Sequence, residues 1–405
     1  MTDQSNNMDR RTFIRSGLAV AATLALAPGF KVWAAEAPGG AGAAGLPLTE
    51  LAALLRKGEL SATVLVQAYL DRIKKYDGRD GFNAYLTVAG EAALRRADEL
   101  DRMAAQQKFA GPLHGLPLAV KDNLDTADIR TTGGSKVLAD WRPPQDAHVI
   151  RRLKEAGAII LGKTNMHEFA FGITTNNPHY GPTRNPYDRD RIPGGSSGGS
   201  GAAVAASLCA GALGTDTGGS VRIPAALCGV VGLKPTLGRV GRGGLMYLSH
   251  TRDVIGPITR TVADAALMLE VLAGPDPRDM DCQDLPVPRY SDISQEGLKG
   301  RRFGLPRKYF GDPIDAPTAK SLEQAVTAIE GLGGQVSEVE VKHMDLATPT
   351  GFSIVLAEVI YLMEDYLKAF DPEATVDKYL DQLGPDVKGA LGSQKGTADS
   401  KPVPG

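Results

Sequence analysis

Apolar positions recur at helical spacing over residues 49–57 and 61–76, where Leu65, Ala68, Tyr69 and Ile73 fall on one face behind Ser61, a good N-cap. Residues 82–88 read as a strand, and 91–106, dense in alanine, leucine and charge, as a third helix. A short apolar run, Leu116 to Val120, leads into Lys121-Asp122-Asn123. Residues 147–156 predict a helix and 158–161 a buried strand. The small-residue run 201–210 suits a helix packed tightly on its neighbours. Thr261 to Asp264 resembles a capping box and opens a helix that closes at Gly274-Pro275. Strands at 303–305 and 336–341 flank a helix at 318–332, and 354–370 predicts a long apolar helix. Strand and helix alternate with no repeat and no linker, which predicts one α/β domain around a large mixed, mostly parallel β-sheet.

One stretch departs from this pattern. Residues 194–220 read GGSSGGSGAAVAASLCAGALGTDTGGS, two glycine-serine clusters around small apolar residues. Glycines beside a serine let backbone N–H groups come close to a ligand, to bind phosphate or to stabilise an oxyanion.

Composition narrows the class. The chain has 405 residues, 42% hydrophobic and 23% charged, with a formal net charge of −2. That is a globular balance with no call for nucleic acid or an anionic membrane as partner. Three cysteines, Cys209, Cys228 and Cys282, make neither a disulfide framework nor a zinc set. At the N-terminus, RRTFIR (10–15) precedes an apolar run too short to span a bilayer. This predicts a twin-arginine signal over 1–34, a flexible lead over 35–45, and export to the periplasm or beyond. The folded part would be 46–405, its polar end at 389–405 stopping where another element is expected.

Three patterns are decoys. Gly157 to Thr164 fits the phosphate-loop pattern by letter, but its Ala-Ile-Ile-Leu interior favours a strand over a flexible loop. Both Gly194 to Gly198 and Gly195 to Gly199 fit a nucleophile elbow, yet a polar loop precedes them where a strand is required. His167-Glu168 lacks the second histidine of a zinc helix, and no metal is expected. His114, His148, His167 and His179 read as polar surface or core-capped groups.

The second cluster, Asp216-Thr217-Gly218-Gly219-Ser220-Val221-Arg222, has what a serine nucleophile needs. The N–H groups of Thr217, Gly218, Gly219 and Ser220 are candidates to converge as an oxyanion hole. Ser220 needs a base, and no histidine is near in sequence. Lys121 at the end of its apolar run could be held neutral by desolvation, with Ser196 or Ser197 bridging it to Ser220.

The blocks GGSSGGSGAAVAA, GTDTGGSVRIPAALCGVVGLKPT and GLPLAVKDN, in this order and spacing, resemble the diagnostic blocks of the amidase signature family over residues 45–385. The resemblance implies that family's fold, a single domain with helices on both faces of the sheet. It implies Ser220 as nucleophile, Ser196 after a cis peptide bond as bridge, and Lys121 as base. Ser197, Asp216 and Arg222 would be supporting residues. No cofactor is implied.

Within the family, MHEFAFGITTNN (166–177) and SHTRDVIGPITRTVADAALM (249–268) resemble indoleacetamide and mandelamide hydrolases. This implies a small-molecule substrate, a primary arylacetamide-type amide, with Phe169, Ala170 and Phe171 along the acyl pocket. A peptide or fatty amide hydrolase, an amidotransferase A-type subunit, and a truncated or non-catalytic relative stay open, as does a homodimer.

Overall fold

The computed structural model describes residues 40–293, 297–310 and 313–392. The proposed signal segment 1–34 lies outside them. Of the expected lead, Gly40–Ala43 form a helical turn and Ala44 is fully buried, its carbonyl accepting from Tyr69 Oη at 3.0 Å.

A six-stranded mixed sheet organises the chain. Its strands are β1 (Tyr85–Val88), β2 (Pro117–Lys121), β3 (Ile159–Thr164), β6 (Gly211–Asp216), β7 (Val231–Gly232) and β8 (Val254–Thr259). They lie in the order β1-β3-β2-β6-β8-β7. The central strands β3, β2 and β6 run parallel, and β1, β8 and β7 join antiparallel. All residues of β2, β3 and β6 are buried, as expected of parallel strands covered on both sides. The two-residue strands β4 (Asn176–Asn177) and β5 (Gly181–Pro182) form a separate ribbon. Strands β9 (Arg302–Leu305) and β10 (Gln335–Glu338) form a parallel pair around helix Ala316–Gly331.

Local chemistry sets the elements. Ser61 Oγ accepts from Val64 N–H at 3.2 Å and starts helix Ala62–Tyr76. That helix buries Leu65, Val66, Tyr69 and Ile73, and each fully buried aliphatic side chain contributes about 2 kcal/mol. Thr261 caps helix Val262–Leu272 in the same way, accepting from Asp264 N–H at 3.1 Å. Helix Gly198–Ala205 is all small residues because it is wedged between backbones. A Cβ on Gly199 would collide with the Asn165 carbonyl oxygen. The phosphate-loop decoy is indeed strand: Gly162-Lys163-Thr164 closes β3.

A second apolar cluster lies beside the main core. Helix Met344–Lys368 starts ten residues before its predicted apolar stretch and contributes Val355, Val359, Met363 and Leu367 to it. By length and composition this helix could cross a membrane, yet its stripe at every fourth residue packs inward against Phe169, Met246 and Leu248.

Candidate active site

The parallel strands deliver the site. β2 ends at Lys121 and β6 at Asp216, and their register pairs Val120 with Leu213. Lys121 and Thr215 therefore emerge together at the carboxyl ends of the strands, where open α/β sheets bind ligands. Lys121 also pairs with Thr164 across to β3, so Lys163, one residue away, belongs to the opposite face.

Lys121 is fully buried. Its Nζ lies 2.7 Å from Ser196 Oγ and 2.7 Å from Thr215 Oγ1. Burial pushes its pKa down to about 7, against the weaker upward pull of Asp253 and Asp216. A base that is neutral near pH 7 sits in hydrogen-bond contact with a serine.

The Gly195–Ser196 peptide bond is cis, as the resemblance implied. The Ser196 carbonyl accepts from His167 N–H at 3.1 Å. Thr175 Oγ1 donates to the Gly194 carbonyl at 2.9 Å and accepts from Gly198 N–H at 3.0 Å, which pins both ends of the turn. Ser197 faces away from Lys121. Its Oγ accepts from Thr215 N–H at 3.2 Å and donates to the Thr215 carbonyl at 3.3 Å, so it ties the turn to β6.

Asp216 folds the loop that carries Ser220. Its carboxylate accepts from Gly219 N–H at 2.9 Å, Val221 N–H at 3.1 Å, Arg222 Nε at 3.0 Å and Arg222 Nη2 at 2.9 Å. Burial raises the pKa of this carboxyl, but the Arg222 guanidinium and these N–H groups outweigh it and hold Asp216 below the usual range. The Gly219 N–H is therefore spent on Asp216, a correction to the four-donor oxyanion hole. Thr217, Gly218 and Ser220 remain as candidate donors. Gly218 faces open space, where a Cβ would meet nothing within 4 Å. Ser220 itself is 6% exposed.

Of the expected acyl-pocket residues, Phe169 and Ala170 are buried with left-handed φ of 48° and 61°. Phe169 packs into the second apolar cluster. Phe171 is half-buried, and its ring tilts against Phe352 at 6.5 Å between centroids.

The histidines have structural partners. His167 reaches Asp386 at 3.0 Å, and His179 reaches the buried Glu168 at 2.6 Å. Among the described residues no cluster of side chains could hold a metal ion.

Sequence reasoning missed Thr215, Asn123 and Asp253. Asn123 Nδ2 donates to Thr215 Oγ1 at 3.1 Å. Asp253 accepts from the Thr217 hydroxyl and from the Leu248 and Ser249 N–H groups at 2.7 and 3.1 Å. Reading 211–216 as a strand ending beside Lys121 would have exposed Thr215. Replacing Thr215 by valine removes a partner of Lys121 Nζ and is expected to lower kcat by about tenfold with KM little changed, read by steady-state kinetics.

The Amidase family pattern matches residues 64–392, most of the chain. The chain belongs to the amidase family. It is 50% identical over 309 residues to the A subunit of glutamyl-tRNA(Gln) amidotransferase from Moorella thermoacetica, covering 76% of this chain and 63% of that protein. The corresponding protein of Carboxydothermus hydrogenoformans is 47% identical over 313 residues, covering 77% and 64%. The chain thus spans somewhat under two thirds of the length of these relatives. Among solved structures it resembles native peptide amidase from Stenotrophomonas maltophilia, with a TM-score of 0.80 and 36% identity over 88% of this chain and 77% of that one. A bacterial aryl acylamidase gives a TM-score of 0.79 at 28% identity, covering 88% and 73%.

These likenesses bear out the amidase signature fold and correct two expectations. The curated relatives are amidotransferase A subunits, not the indoleacetamide and mandelamide branch. They also overturn the reading of periplasmic export, since the curated relatives are subunits of a glutamyl-tRNA(Gln) amidotransferase.

Proposed function

We propose that this amidase releases ammonia from a primary carboxamide through an acyl-enzyme on Ser220, with Ser196 and Lys121 as its proton relay. The observation that carries this reading is the buried Lys121, lowered to about 7 and 2.7 Å from Ser196 Oγ. Neutral Lys121 takes the Ser196 proton, and Ser196 takes that of Ser220. Ser220 Oγ bonds to the carbonyl carbon while backbone N–H groups of the 217–220 loop face the oxyanion. The proton returns through Ser196 to the nitrogen as the C–N bond breaks and ammonia leaves. Water then attacks the ester by the same relay and regenerates Ser220.

The relatives favour one setting for this chemistry. An identity of 50% to an amidotransferase A subunit supports an ammonia-supplying role beside partner subunits more than it supports free hydrolysis of an arylacetamide. A fluorophosphonate is expected to label Ser220, located by mass spectrometry, and Ser220→Ala should abolish both label and ammonia release. Labelling elsewhere, or turnover by the alanine variant, would sink the assignment.

A further inference from the structure

Strands β6 and β8 run antiparallel, with Thr215 opposite Ile255 and Asp216 opposite Val254. One step past the end of β6 the same register sets Thr217 opposite Asp253, and the Thr217 hydroxyl donates to Asp253 Oδ1 at 2.5 Å. Side chains two apart along a strand share a face. Thr217 therefore lies on the side of the sheet where Thr215 meets Lys121, and its hydroxyl brings the Asp253 carboxylate to that side.

Asp253 is buried, and its Oδ2 accepts the Leu248 and Ser249 N–H groups at 2.7 and 3.1 Å. Glu358 accepts from the Ser249 hydroxyl and fixes that turn to helix Met344–Lys368. Each contact of the Asp253 carboxylate is with a donor, the pattern that an ionised group requires. Among the described residues it nevertheless has no ion-pair partner. A buried carboxylate without a cation is costly.

The other charged and titratable groups around Lys121 and Asp253 are occupied. Asp216 is neutralised by Arg222. Arg242, whose Nη1 reaches the Asp253 carbonyl at 3.4 Å, is held by Asp279 and Asp281. Arg252, next in the chain, is directed at Gly351. His167 bonds to Asp386, and burial holds its pKa below the usual range. Burial pushes Tyr247 up, so it stays protonated. Lys163 pairs with Asp122 on the opposite face. Asp253 is left as the carboxylate that acts on Lys121 without a cation of its own, and after burial its pull on the lysine is the strongest. The relay makes Lys121 an ammonium as Ser220 attacks. A fixed negative charge facing the place where that cation forms lowers the barrier.

We propose that Asp253 is a positioning residue of this site: one oxygen holds Thr217 at the head of the donor loop, and its charge faces the ammonium that forms on Lys121. It acts through Thr217 and Lys121, with no contact to the reacting atoms. This inference rests on the amidase reading above and names what sets its base and its donor loop.

The test follows fluorophosphonate labelling of Ser220 against pH, with saturation plots separating the maximal labelling rate from the half-saturating concentration. In the wild type labelling should fall on the acid side of about pH 7. Asp253→Asn keeps the shape and removes the charge, so Lys121 gives up its proton more readily. The acid limb should move down by about one pH unit, and the maximal rate should drop about tenfold with half-saturation little changed, because a weaker base takes the serine proton less readily. Asp253→Ser removes the charge with a smaller side chain and should move the limb the same way. Asp253→Glu keeps the charge and should return the limb to about pH 7 even where the rate stays low. Thr217→Val loses the hydrogen bond and not the charge, so its rate should fall with the limb in place. Thermal melts by circular dichroism establish that each variant is folded. A limb that stays in place in folded Asp253→Asn or Asp253→Ser, or that moves as far in Thr217→Val, overturns the proposal. Failure of the amidase reading looks different: wild-type Ser220 would take no label at any pH, or Ser220→Ala would still release ammonia.

Discussion

Replacing Lys121 by methionine is expected to lower kcat by at least about 10³-fold while the protein stays folded, because it removes the only buried base in contact with Ser196 among the described residues. In the wild type the base must be uncharged, so kcat/KM should fall on the acid side of about pH 7, where Lys121 takes up its proton. The same lysine carries a stability signature. Its folded pKa of about 7 lies below the ordinary 10.5, so between these values the unfolded chain binds the extra proton. Lys121 therefore costs its full penalty below about pH 7, and the cost fades as pH rises toward 10.5. Lys121→Met should be more stable than wild type at neutral pH, by on the order of a few kcal/mol, with the gap closing at alkaline pH. Denaturant titrations at pH 7 and 10 read this directly. An active methionine variant, or one with no pH-dependent stability difference, would remove Lys121 from the mechanism.

Much of this site was legible because glycine-serine clusters and a lysine ending an apolar run are local signals. The run Leu116 to Val120 is β2, and its burial depresses the lysine as expected. What the sequence hid was long-range. The Asp253–Thr217 and Thr175–Gly194 bonds join segments that no periodicity connects. β6, Gly-Ala-Leu-Gly-Thr-Asp, has little strand propensity of its own and is held as strand by β2 and β8. β8 carries Gly256 and Pro257, and the first turns of helix Met344–Lys368 carry Pro349 and Gly351. In each case tertiary packing overrides a local breaker. The oxyanion hole failed at Gly219 for a related reason. A glycine N–H free by sequence was claimed by the buried Asp216, which needs donors.

The second buried lysine shows why burial alone does not make a base, and it yields the other large effect. Lys163 and Asp122 are both fully buried, 3.6 Å apart. Lys163 Nζ also donates to the Leu124 carbonyl at 2.5 Å and to Thr131 Oγ1 at 2.7 Å, and no serine is near it among its partners. Asp122 accepts from Thr132 N–H at 2.9 Å and from the Thr132 hydroxyl. Its carbonyl takes Gly133 N–H at 3.0 Å, and the Gly133 carbonyl takes Phe169 N–H at 2.8 Å. Burial pulls Lys163 down and Asp122 up, each partly offset by the other. The pair fastens the 131–135 loop to β3 from the face opposite Lys121. Asp122→Ala leaves an ammonium and two Thr132 donors buried without their acceptor, and should cost about 3–5 kcal/mol in equilibrium unfolding. Asp122→Leu combined with Lys163→Met removes both charges and should recover a large part of that loss. If the single variant unfolds within about 1 kcal/mol of wild type, the loop does not depend on the pair, because breaking a needed buried pair costs several times that.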